Sequence, residues 1–162
     1  MAVQANKIFD DLQQCIYQLL KKLSTTTAPW TSWSIVLSDA EGSQYGEFTK
    51  PFIYVNPPIL TDKLSQQGGR SLGFYEMIIG CWVDRKTGGL EELNIMNSRL
   101  FDLFDDSKTA HTTQFTVTTN AAHTDTTLLA QGVRVEGILG PRSIPVEDRK
   151  ESRTEVTIYL IA

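Results

Sequence analysis

Phe74-Tyr75-Glu76-Met77-Ile78-Ile79-Gly80-Cys81-Trp82-Val83-Asp84 decides the fold. Side chains of a strand alternate between two faces, so Tyr75, Met77, Ile79, Cys81 and Val83 share one side. Phe74, Glu76, Ile78, Gly80 and Trp82 share the other. Both sets are largely apolar, which predicts a central strand covered by helices on one side and by something else on the other.

Working outward, the chain turns helical on both flanks. Downstream, Gly88-Gly89 breaks the strand, and Leu90, Leu93, Met96, Leu100, Leu103 and Phe104 recur at helical spacing. Glu91 and Glu92 occupy the first turn, where the helix dipole favours anions, and Asp105-Asp106-Ser107 ends the helix. Far upstream, Ile8, Leu12, Cys15, Ile16, Leu19, Leu20 and Leu23 form one apolar stripe. There Lys21 and Lys22 are expected in the last turn, before the stop at Thr25-Thr26-Thr27-Ala28-Pro29.

The rest is strands and polar excursions. Trp33 to Leu37 and Phe52 to Val55 read as short strands, the second stopped by Asn56-Pro57-Pro58. Ser38–Thr49 and Thr61–Ser71 read as long loops, the latter centred on Gln66-Gln67-Gly68-Gly69-Arg70 and expected to order on assembly. Thr112–Thr119, Leu128–Leu139 and Thr154–Ala162 read as strands. Val156, Ile158 and Leu160 alternate with Glu155, Thr157 and Tyr159 in the half-buried pattern. Gly140–Ser152 reads as a Pro-containing, charged connection. The order helix, strands, helix, strands predicts one α+β domain spanning residues 1–162: a mainly antiparallel mixed sheet packed by two amphipathic helices, with long loops. The expected centre of its core is Cys15, Ile16, Leu19, Ile79, Cys81, Val83, Leu93, Leu100, Val156 and Ile158.

Composition narrows the function classes. The chain has 162 residues, 41% hydrophobic and 21% charged, with a formal net charge of -4. That fits a globular domain and provides no basic stripe of the kind that holds duplex DNA. Neither a membrane anchor nor an export signal is expected. Cys15 and Cys81 lie far apart without a Cys-x-x-Cys partner and read as buried thiols.

A histidine-based nucleophile system would draw on His111 or His123, both in Thr/Asn/Ala-rich turns with no framing motif. Two His and two distant Cys do not make a zinc set. Asp10-Asp11, Glu91-Glu92 and Asp105-Asp106 are adjacent pairs, whose members point apart on a helix. Gly68-Gly69-Arg70-Ser71 leads into a strand rather than the helix a phosphate loop requires. Trp30, Trp33 and Trp82 lack the interleaved Lys and Arg of a base-stacking surface. The expectation is therefore no enzyme, no cofactor and no metal. Protein–protein association remains, with Arg70, Arg142, Asp148 and Arg149 as candidate oligomer-interface residues on long loops of mixed charge.

The helix Ile8–Leu23, Pro51-Phe52-Ile53-Tyr54-Val55, the long loop, Tyr75–Val83, the helix Leu90–Phe104 and the ending Val156-Thr157-Ile158-Tyr159-Leu160 follow one another in a familiar order. In that order and in size the chain resembles the tail terminator (tail-completion) proteins of tailed bacteriophages. The excursion Ser38–Thr49 and the connection Gly140–Ser152 depart from the smallest members. The resemblance implies a virion structural protein, assembled in the host cytoplasm and found at the neck of the tail. It implies a homo-oligomeric ring, six-membered in the family, that caps the tail tube protein and docks the neck connector (stopper) protein. DNA would pass through its lumen without sequence-specific binding, and no membrane is involved. Other head–tail connector proteins, a generic interaction domain, and a small-ligand enzyme with an unframed site stand as the alternative readings.

Overall fold

The computed structural model of the protein describes residues 8–37, 50–63, 73–86, 88–104, 134–147 and 150–161. Within them lie α1 (Ile8–Thr26), a 3-10 turn (Trp30–Ser32), β1 (Ser34–Leu37), β2 (Phe52–Val55), β3 (Ile59–Lys63) and β4 (Gly73–Asp84). Then follow α2 (Gly89–Phe104), β5 (Arg134–Ile144) and β6 (Glu151–Ile161). The described strands form one mixed six-stranded sheet in the order β1-β2-β4-β6-β5, with β3 also paired to β4. Only β1 and β2 are parallel; the other pairs are antiparallel. This is the expected α+β architecture.

β4 is the central strand, as its two apolar faces predict. β6 runs beside its whole length, from Phe74 opposite Ile161 to Asp84 opposite Glu151. The other edge of β4 is shared end to end by β2 and β3. Tyr75, Met77, Ile79, Cys81 and Val83 turn to the helices and join one core with Leu12, Ile16, Leu20, Leu93, Met96 and Leu100. All ten residues expected at the core centre lie in that cluster. Two polar contacts tie helices to the sheet side: Gln13 Nε2 donates to the Val55 carbonyl at 2.9 Å, and Thr154 Oγ1 donates to Asn97 Oδ1 at 3.0 Å. Asn97 is buried, so this bond removes a desolvation cost that a helix interior would otherwise bear.

Four expectations need correction. α1 continues to Thr26, three residues past Leu23, so Lys21 and Lys22 sit before its last turn. In that added turn the Ser24, Thr25 and Thr26 hydroxyls donate back to the carbonyls of Lys21 and Lys22. Leu90 stands 54% exposed, and the buried face of α2 is instead Leu93, Met96, Asn97, Leu100 and Phe104. Thr61–Ser71 does not begin as a loop: Thr61 to Lys63 belong to β3.

The fourth concerns Gly140–Ser152. Its first residues extend β5 to Ile144 and its last two begin β6, so the connection between the two antiparallel strands shrinks to residues 145–150. The reason is a bulge. Register shifts between Leu139 and Arg142, and Gly140 adopts φ +115°, a left-handed conformation that suits glycine. A Cβ there would also lie 3.0 Å from the Glu155 carbonyl oxygen. The expected strands over 112–119 and 128–133 lie outside the described residues.

Candidate functional site

The face of the sheet opposite α1 and α2 carries the chemistry. Strand alternation and register put Phe52 and Tyr54 of β2, Gly80 and Trp82 of β4, and Arg153 and Glu155 of β6 on that side. Arg142 of β5 lies opposite Glu155. Phe52, Tyr54 and Trp82 form a second, small apolar cluster with Val36 and Val146 against it.

Charged groups are stacked into these aromatics. The Tyr54 hydroxyl donates to Glu155 Oε1 at 2.7 Å and accepts from Arg153 Nε at 2.5 Å. Arg153 also donates through Nη2 to the same carboxylate oxygen at 2.7 Å. Its guanidinium lies 5.0 Å from the Tyr54 ring centre and 5.2 Å from that of Trp82. On the flank, Trp82 Nε1 donates to Glu151 Oε2, and Lys50 Nζ pairs with Glu151 Oε1 at 2.5 Å. Lys50 also sits 5.7 Å from the Trp82 ring centre. Each carboxylate thus meets both a cation and a neutral donor, the condition under which half-buried charge is tolerated.

One small residue makes room for this. Gly80 lies opposite Tyr54, and the phenol ring lies across its backbone, where a Cβ would fall 1.8 Å from Cζ. Glycine in a strand interior weakens the strand by itself; here it admits a ring from the neighbouring strand.

The titration behaviour follows from burial. Burial first, then the Glu155 carboxylate, pushes the Tyr54 phenol far above its ordinary 10.0, with Arg153 pulling the other way. Burial alone pushes the Cys81 thiol far above 9.0. Burial works against the charge of Arg153, yet Tyr54 and Glu155 raise its pKa overall. Both raised acids keep their protons when folded, so their contribution is complete below pH 9. Stability is then lost as pH climbs past 9.0 for Cys81 and 10.0 for Tyr54, where the unfolded chain releases those protons and the folded chain does not. Each group should cost up to about 1.4 kcal/mol per pH unit in that range. Urea midpoints taken between about pH 8 and pH 11 should therefore fall, and Tyr54→Phe should flatten part of the slope. A level midpoint over that range would contradict the assignment.

Such an arrangement holds a sheet face in one geometry. The phenol stays neutral, the acids are engaged, and Trp82 is too buried to offer a stacking surface. Among the described residues no group of three His, Cys, Asp or Glu side chains converges as a metal site. No described helix is long and apolar enough to cross a membrane.

Of the candidate interface residues, Arg70, Asp148 and Arg149 lie outside the described residues, as do His111 and His123. Arg142 is on a strand rather than a loop, and its Nη2 donates to Glu155 Oε2 of the same chain at 3.3 Å. Its side chain is 70% exposed, so this pair is screened and worth at most about 1 kcal/mol. Sequence reading missed Tyr54, Trp82, Lys50, Glu151 and Arg153. The available signal was the alternation Glu151, Arg153, Glu155 along one face of β6, opposite a strand with glycine in its middle. No protein-family model matches this chain, and no curated protein matches it.

Proposed function

We propose that this chain is the subunit of a closed homo-oligomeric ring that ends a phage tail tube at the neck and joins it to the head connector. The observation that supports it best is the β5–β6 hairpin. From Leu139 to Ser143 the chain is exposed, with Leu139, Arg142 and Ser143 paired to β6 on either side of the bulge and Leu139 itself 63% exposed. An exposed segment held by a ladder meets a partner with little ordering cost, unlike a flexible loop. The sheet face opposite α1 and α2 is locked nearby by the Tyr54–Arg153–Glu155 network, which keeps the strands of the hairpin in one geometry. Six copies closing a ring need a heterologous contact, one patch against a different patch on the next copy. The net charge of -4 suits a lumen that lets DNA slide instead of trapping its phosphates.

Two measurements test this together. Light scattering with negative-stain imaging should give a ring of about six subunits, the closed heterologous form. Deletion of the gene should leave tails of irregular length, or tails unable to join filled heads. Normal tails on normal heads in the deletion strain would sink the proposal, whatever the oligomer looks like.

A further inference from the structure

Between the first turn of α2 and the β5–β6 hairpin lies a cleft of about 270 Å³. Leu90, Leu93, Ile144 and Pro145 give it apolar walls, and Arg85, Ser143, Ser152 and Glu151 supply polar groups. Arg85 is held at its mouth. Its backbone N–H donates to the Lys150 carbonyl, and its Nε donates to Ser152 Oγ at 2.5 Å. Among the described residues Arg85 has no acidic partner, so both Nη groups keep their donors.

The acid within the cleft cannot serve it. Glu151 is already bound on one oxygen by Lys50 and on the other by Trp82. Arg153, the second cation in the lining, is committed to Tyr54 and Glu155. What the cleft offers an incoming group is therefore a guanidinium fork, two hydroxyls and an apolar wall. That combination recognises a carboxylate on a short carbon stem. The volume falls below the roughly 300–1,000 Å³ of clefts that enclose small-molecule ligands.

We infer that this cleft receives an Asp or Glu side chain from a second copy of the chain, with Arg85 as its anchor. The inference rests on the ring reading and adds to it the chemistry of one interface. Charge complementarity points to a second copy, because the chain is acidic overall, with 19 Asp and Glu against 15 Lys and Arg. The rim favours a macromolecular partner as well: Leu90 is 54% exposed beside the cleft and would be covered by it. Since the cleft's own acid is engaged, two clefts facing each other about a two-fold axis would put cation against cation. The incoming acid must come from elsewhere on the neighbour, and the ring reading makes that contact head-to-tail.

The test uses the purified full chain. Arg85→Glu should raise the concentration at which the oligomer forms by about tenfold or more while leaving unchanged the urea midpoint taken at dilutions where both chains are monomeric. Arg85→Lys puts an amine at the same place. Carbodiimide treatment of that variant should join it by an amide bond to an acidic peptide of another copy, identified by mass spectrometry of mixed isotope-labelled chains. Unchanged assembly of Arg85→Glu, a wild-type chain that stays monomeric, or cross-links confined to one copy would each overturn the inference. Glutarate that raises the melting temperature of the wild type but not of Arg85→Glu, without any change of mass, would assign the cleft to a small carboxylic acid and overturn it too. Assembly through Arg85 combined with normal tails in the deletion strain would remove the neck reading alone.

Discussion

Gly80→Ala is expected to lower the unfolding free energy by about 3 kcal/mol or more. The added methyl would sit 1.8 Å from the Tyr54 ring, well inside any possible contact. Overpacked cores usually relieve such contacts by rotating a side chain. Tyr54 cannot rotate freely, because its hydroxyl is held by Glu155 and Arg153 together. Either the ring moves and both bonds break, or β2 and β4 separate where Tyr54 faces Gly80. A loss of that size is a large share of the roughly 5–15 kcal/mol by which domains are stable. Urea unfolding gives the value, and a double-mutant cycle gives the cause. With Tyr54→Ala present, the alanine at position 80 should cost little, since the ring it meets is gone. Equal cost in both backgrounds would show that the strand itself, and not the ring, demands glycine.

Glu155→Ala should be about as severe, at about 3–5 kcal/mol. Glu155 is 8% exposed, and Tyr54, Arg153 and Arg142 all donate to its carboxylate. Removing it strands the Arg153 guanidinium between two rings with the Tyr54 hydroxyl as its remaining side-chain neighbour in the network. Arg142→Ala should cost under about 1 kcal/mol, because that partner is mostly in water. The contrast between two deletions on one carboxylate is the diagnostic. Removing Arg153 together with Glu155, and filling their place with apolar side chains, should recover much of the loss. If Glu155→Ala costs no more than Arg142→Ala, the network is ornamental to stability.

The core was readable because alternation and helical spacing both report burial, and the two patterns converge on Ile79, Cys81, Val156, Leu93 and Leu100. What resisted reading was polar residue usage inside regular structure. Thr61-Asp62-Lys63 looks like loop chemistry, yet it belongs to β3, which pairs with β4 while Thr61 and Asp62 stay exposed. Gly140-Pro141 looks like a strand terminator, yet a glycine bulge lets the pairing resume at Arg142. The charge network was invisible for a different reason. Glu151, Arg153 and Glu155 have the spacing of any solvated strand face, and their partners Trp82 and Tyr54 lie 69 and 101 residues away in sequence. Only the register across three strands brings them together. Arg85 was passed over because nothing local distinguishes a strand-end arginine without an acidic partner among the described residues from one that has such a partner.

The pairing of β4 with β6 also sets a schedule for the chain as it is made. The central strand appears at residues 73–84, but its full-length neighbour is not synthesised until residues 151–161. Until then α1 and α2 can cover the helix-facing side of β4, but the edge that β6 will take has none of its partner strand. Closing so long a loop before the pairing contributes anything is entropically slow. From the making of residue 84 until that of residue 151 the ribosome-bound chain therefore carries a β4 edge without β6, the kind of surface that chaperones engage. Its abundance in a cell should be governed by what shields β4 during that interval as much as by the stability of the finished sheet.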